Sequence, residues 1–257
     1  MKLIDTHTHL YLDAFDSDRD QVIKNAIERG VEHMYLPNIN SKSVDGMLEI
    51  EAKFPENCFA MMGLHPTDVK EDYKEELRIV EEWLAKRKFI AVGEIGIDLY
   101  WDKTFIKEQI IAFKFQIELA KKYNLPIVIH ARDSMKEILE VLLSMKLAGV
   151  KGVFHCFNGN LEDAHQVIEM GFYLGIGGVV TFKKAGLDKI VSAIGLNHLV
   201  LETDAPFLTP APHRGKRNES AHTYYIAKKI AEIKGMAIEE VAEITTENAL
   251  HLFKLSK

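Results

Sequence analysis

Only two cysteines, Cys58 and Cys156, occur in 257 residues. They are too few and too isolated for a disulfide framework or a four-thiolate zinc site, so both are expected to be reduced and buried. No stretch reaches the roughly 18 apolar residues of a membrane span, and the start carries no basic region followed by an apolar run. A cytoplasmic location with no membrane partner is the expectation. Positive charge is in deficit, with a formal net charge of −6. That excludes a protein that coats nucleic acid through a general basic surface, but leaves room for a small cationic site. The chain also lacks linkers, low-complexity tracts and a glycine-rich phosphate turn after its first apolar segment.

What is present is an ordinary core-forming composition, 47% hydrophobic and 27% charged. The length is close to the roughly 250 residues of one α/β barrel, which predicts a single domain over residues 1–257. Short apolar runs alternate with helical patterns. The runs are Lys2–Ile4, His33–Pro37, Phe59–Gly63, Phe89–Gly93, Leu125–Ile129, Val150–Phe154, Phe172–Ile176 and His198–Leu201. Between them, apolar residues recur at helical spacing, as in Val22, Ile23, Ala26 and Ile27 before Gly30. Eight nearly continuous apolar strands separated by helices predict a parallel sheet closed into a (β/α)8 TIM barrel, with an open doubly wound sheet as the competitor.

Metal-ligand residues recur where these strands end. The opening segment runs into Asp5-Thr6-His7-Thr8-His9, where the two histidines, two apart, project from one face. The fourth strand runs into Glu94, the fifth into His130, the sixth into His155 and the eighth into Glu202-Thr203-Asp204. A barrel gathers all these ends on one face, where barrel active sites lie. Four histidines and two carboxylates in one pocket would need cations. Six ligands favour two ions. Glu94 is expected to bridge them, with His7, His9 and Asp204 completing one site and His130 and His155 the other. The expected nucleophile is a hydroxide held by both ions, its proton accepted or relayed by Asp204. Asp5 and Glu202 are expected as hydrogen-bond groups, either behind the ligands or in the core, rather than as ligands. The donor set allows zinc, manganese or iron, and a phosphate substrate would bring magnesium.

The loop after the eighth strand carries His213, Arg214 and Lys216, read as a phosphate-binding segment to which Arg132 contributes. Two divalent ions less the charges of Glu94 and Asp204 leave about +2, suited to an anionic transition state. His65 is expected to touch substrate. Tyr100, Trp101 and Phe157 could stack on a base or pack at the rim. Cys156, next to His155 on a strand, would face away from the metals.

The segments Ile4–Leu10, Gly63–Pro66, Gly93–Asp98, His130–Arg132, His155–Phe157 and Glu202–Pro206 together resemble the TatD family of metal-dependent deoxyribonucleases. The opening motif fits many amidohydrolase-type barrels, whereas the glutamate after the fourth strand and the Glu-Thr-Asp-Ala-Pro segment are more specific. The resemblance implies a two-metal barrel with His7, His9, Glu94, His130, His155 and Asp204 as ligands, the set reached from the strand ends. It also implies hydrolysis of DNA, as a 3′–5′ exonuclease on single strands. The family pattern tends to Arg-Asn-Glu-Pro where this chain has Arg217-Asn218-Glu219-Ser220, and Ser220 is expected to cap the following helix in place of proline. The alternatives are a binuclear amidohydrolase acting on a small amide, ester or lactone, and an aminoacyl-ester hydrolase acting on misacylated transfer RNA. A monomer is expected.

Overall fold

The computed structural model describes residues 1–254 apart from 146 and 148. Eight strands appear, in the expected order: β1 (Leu3–Asp5), β2 (Val31–Leu36), β3 (Cys58–Ala60), β4 (Val92–Asp98), β5 (Ile127–Arg132), β6 (Gly152–Phe154), β7 (Tyr173–Ile176) and β8 (Leu199–Leu201). Between them lie α1 (Arg19–Glu28), α2 (Val44–Lys53), α3 (Tyr73–Lys86), α4 (Ile106–Tyr123), α5 (Met135–Ser144), α6 (Leu161–Glu169) and α7 (Leu187–Ala193). Two further helices, α8 (Thr223–Lys234) and α9 (Ile238–Phe253), follow β8. Helix ends follow local chemistry: α1 stops before Gly30 at φ 90°, and α4 stops at Asn124 in the left-handed conformation that asparagine tolerates.

All strand pairs are parallel, β1 to β3 in one run and β4 to β8 in another. Short parallel bridges cross the two seams, Thr8 with Ala205 between β1 and β8, and Met62 with Val92 between β3 and β4. The interior reads as a barrel layer. Ile4, Tyr35, Met61, Ala91, Val128, Val153, Tyr173 and Val200, one from each strand or its immediate extension, pack with Leu250, Leu252 and Phe253 of α9. A larger apolar cluster fills the space between strands and helices. This is the (β/α)8 arrangement, in which the strand C-termini share one rim. Among the described residues no helix is long and apolar enough to cross a membrane.

Several expected boundaries move. β1 ends at Asp5, so His7 and His9 lie past the strand. Their backbone stays extended because Thr6 N–H donates to Leu201 O, Thr8 N–H to Tyr35 O and His9 N–H to Ala205 O. β4 was expected to end at Gly93 and instead runs to Asp98, so Glu94 lies inside a strand. The β4–β5 register shifts between Val92 and Ile95. Beyond the shift, Ile95 and Ile97 pack outward against helices, leaving Glu94 and Asp98 on the inner face.

Candidate metal site

At the shared rim five imidazoles surround the Glu94 carboxylate. On one side His7 Nε2 is 3.1 Å and His9 Nε2 3.6 Å from Glu94 Oε2. On the other, His130 Nδ1 is 2.7 Å, His155 Nε2 3.2 Å and His65 Nε2 3.3 Å from Oε1. Asp204 closes the first side, its Oδ1 lying 3.6 Å from His9 Nε2 and 3.9 Å from His7 Nε2. The left-handed backbone of Asp204, φ 55°, is one an aspartate tolerates better than most residues. Three sets of ligand atoms each lie within 4.8 Å of one another: His7, His155 and Asp204; His7, His9 and Glu94; His65, Glu94 and His130.

The hydrogen bonding around these side chains sets which atoms face inward. Tyr11 donates its one hydroxyl proton to Pro37 O, so its oxygen accepts from His9 Nδ1, 2.8 Å away. His9 Nε2 therefore presents a lone pair toward two carboxylates and toward His7 Nε2, 3.3 Å distant. Such an arrangement is stable only with a proton or a cation between the atoms. On the other side Asp98 holds His130 from behind, Oδ2 to Nε2 at 2.9 Å. Glu202 Oε1 lies 3.2 Å from His155 Nδ1 and also accepts the Cys156 N–H. Room for Glu202 comes from Gly175, where an added Cβ would sit 2.3 Å from Glu202 Oε2. Imidazole nitrogens and carboxylate oxygens, oriented by acceptors behind them, fit divalent cations.

The electrostatics match a site that shares positive charge. Burial opposes the Glu94 charge, yet His155, His65 and His7 hold its carboxyl well below the usual range. Burial likewise opposes charge on Asp204, which His9 and His155 nevertheless keep low. Among the imidazoles, burial pushes His7 and His65 down. Against the same burial, Asp98 and Glu94 push His130 up, and Glu94 and Glu202 push His155 up.

The other expected positions have particular places. Of the two roles expected for Asp5, the structure shows the buried hydrogen-bond group rather than a partner behind a histidine ring. Its Oδ1 accepts Thr203 N–H at 2.8 Å and its Oδ2 accepts the Thr203 hydroxyl at 2.6 Å, tying β1 to the segment carrying Asp204. His65, expected to meet substrate, sits within the cluster, 3.3 Å from His130 Nδ1. Arg132 lies over the Tyr100 ring, its guanidinium carbon 3.9 Å from the centroid. In the last loop His213 stacks on His222 at 4.8 Å, Arg214 covers Phe182 at 3.7 Å, and Lys216 is exposed. Among the described residues none of these three contacts the Glu94 cluster. The loop is instead anchored by Arg217, bonded to both Asp18 oxygens at 2.7 Å, and by buried Asn218.

Three expectations are corrected here. Phe157 is 2% exposed and part of the core, so it offers no face for stacking. Cys156 lies past β6 on a left-handed turn at φ 45° and is only half-buried. Ser220 does not cap α8, which begins after His222 with no side-chain cap; its hydroxyl donates to Thr8 Oγ1 at 3.3 Å, and Glu219 caps the short 3-10 turn Ser220–His222 that leads into the helix. Two residues escaped the sequence reading. Asp98 is four residues beyond Glu94 on the same strand, a spacing that keeps both on one face. Tyr11 stands two residues beyond His9, and nothing in the sequence distinguishes it from a core tyrosine.

A family profile described as TatD related DNase matches residues 4–254. An uncharacterized metal-dependent hydrolase of Bacillus subtilis strain 168, YabD, is 41% identical across 99% of this chain and 100% of its own length. Another of the same description, YcfH of Escherichia coli K12, is 32% identical over 99% of this chain and 97% of its own. The crystal structure of YjjV, a TatD homolog from Escherichia coli K12, superposes with a TM-score of 0.93 at 27% identity, covering 99% of this chain and 98% of that one.

Proposed function

The chain belongs to the family of TatD-related DNases, metal-dependent hydrolases, and on that premise we propose that it cleaves phosphodiester bonds of single-stranded DNA, from the 3′ end, with two divalent ions. The observation that carries the reading is Glu94, whose two carboxylate oxygens face different sets of imidazoles, His7 and His9 against His65, His130 and His155. A carboxylate so placed is suited to bridge. Asp204 would complete the first set, Asp98 would orient His130, and Tyr11 would orient His9.

Bound there, magnesium, manganese or zinc would supply Lewis acidity and lower the pKa of water, zinc most strongly, to about 7. Asp204, partly buried beside His9 and held toward its charged form, would accept a proton from the attacking water. Arg132, at the rim of the same strand as His130, supplies a cation for the substrate phosphate.

The test is cleavage of end-labelled single-stranded DNA by chelator-stripped protein with magnesium, manganese or zinc restored, beside Glu94→Gln. The proposal expects stepwise shortening from the 3′ end that requires metal and falls at least about a hundredfold in the variant, the loss that follows when one electrostatic contact to the transition state goes. Metal-dependent hydrolysis of a small amide or an aminoacyl ester, with DNA left intact, would overturn it.

A further inference from the structure

Beside the Glu94 cluster the rim carries an aromatic surface that no packing requirement explains. Trp101 is 68% exposed and Tyr100 52% exposed. Their rings meet at right angles, 87°, with centroids 4.9 Å apart. Arg132 lies 3.9 Å from the Tyr100 centroid and 5.2 Å from that of Trp101. Among the described residues its guanidinium has no carboxylate partner. An exposed indole is uncommon on a surface without a ligand, and an unpaired arginine fixed against aromatic rings is a cation prepared for an anion.

This surface is tied to the cluster by one carboxylate. Asp98 Oδ1 accepts the N–H groups of Tyr100 at 2.9 Å and Trp101 at 3.0 Å, while its Oδ2 holds His130 Nε2 at 2.9 Å. Leu99 N–H donates to Arg132 O at 2.9 Å, so the loop and the end of β5 move together. Two bonds to the backbone fix the aromatic pair where the strand leaves the barrel. A ligand on Trp101 would therefore be held at a set position relative to Glu94.

We infer that Tyr100, Trp101 and Arg132 form the station on which a nucleotide of the substrate strand rests, its base stacked on Trp101 and its phosphate paired with Arg132. The inference rests on the phosphodiesterase reading and names how that enzyme grips its substrate. Every base has a face to stack, so the station is indifferent to sequence. Bases inside a duplex have no free face, so it selects single strands.

The test uses tryptophan emission, since the chain has just two tryptophans, Trp83 and Trp101. In Trp83→Phe, whose position lies on α3, Trp101 alone reports. A short single-stranded oligothymidylate with a phosphorothioate backbone, added to the metal-loaded protein, is expected to quench that emission, and the same oligomer in a duplex is not. Trp101→Ala should bind it about ten- to a hundredfold more weakly, with Trp101→Phe recovering part of the loss. Arg132→Lys, which keeps the charge but not the plane, should also weaken binding. Leu143→Ala removes a 72% exposed side chain near the end of α5, toward the opposite rim, and should bind as wild type. An unquenched Trp101, with Trp101→Ala binding within twofold of Leu143→Ala, would overturn the station. If the quench is seen but the wild type hydrolyses no DNA, the station stands and the phosphodiesterase reading falls.

Discussion

Tyr11 shows how one hydroxyl can decide the chemistry of a ligand. Because its proton goes to Pro37 O, it can only accept from His9 Nδ1, and that leaves His9 Nε2 facing Glu94 and Asp204. Tyr11→Phe keeps the ring and removes the acceptor, so the His9 tautomer is no longer imposed. Metal affinity should fall about ten- to a hundredfold, the usual effect of losing a partner behind a ligand, with the fold retained. A competition titration against a fluorescent chelator measures this; unchanged affinity would show that His9 does not depend on Tyr11. Asp98 does the same for His130 from the other side.

At the scale of elements, the seam between β1 and β8 is what holds Asp204 in the site. Buried Asp5 accepts both the N–H and the hydroxyl of Thr203, and the Thr203 hydroxyl in turn accepts Ala205 N–H at 3.2 Å. Asp204 sits between the two residues so held. Thr203→Val conserves shape but removes the hydroxyl that donates to one buried Asp5 oxygen, costing about 1–3 kcal/mol in urea unfolding. Activity should fall as well, since Asp204 loses its tether. A variant as stable as wild type would show that the seam is held elsewhere. The order of strands was legible because buried parallel strands write continuous apolar runs, and their ends named His7, His9, Glu94, His130, His155 and Asp204 as neighbours. The inner placement of Glu94 depends on the register shift after Val92, which no period in the sequence records. The last loop was legible only as a run of cations. Its packing, with Arg214 on Phe182, His213 on His222 and Arg217 paired with Asp18, depends on residues distant in sequence that no composition records.

For the molecule as a whole, stability and metal binding are separable at His222. Burial first, and then His213, push its pKa down to about 4 from 6.5. The folded state therefore holds it neutral where the unfolded chain would take up a proton. Its contribution is fully present above about pH 6.5 and is lost as pH falls toward 4. Allowing for solvent screening of a partly exposed ring, the loss is on the order of 1–2 kcal/mol. Urea unfolding of wild type and His222→Gln across this window isolates it, because the cluster histidines protonate alike in both. A difference that does not vary with pH would contradict the assignment.

The proposed hydrolysis requires Glu94 to bridge two ions, and the direct measurement is the number of divalent ions each chain retains, by elemental analysis after equilibration with excess manganese or zinc and desalting. Two ions per wild-type chain are expected, and no more than one in a folded Glu94→Gln variant, because the amide that replaces one oxygen is a poor bridge. A single ion in the wild type, or two in the variant, would contradict a site built around a bridging Glu94.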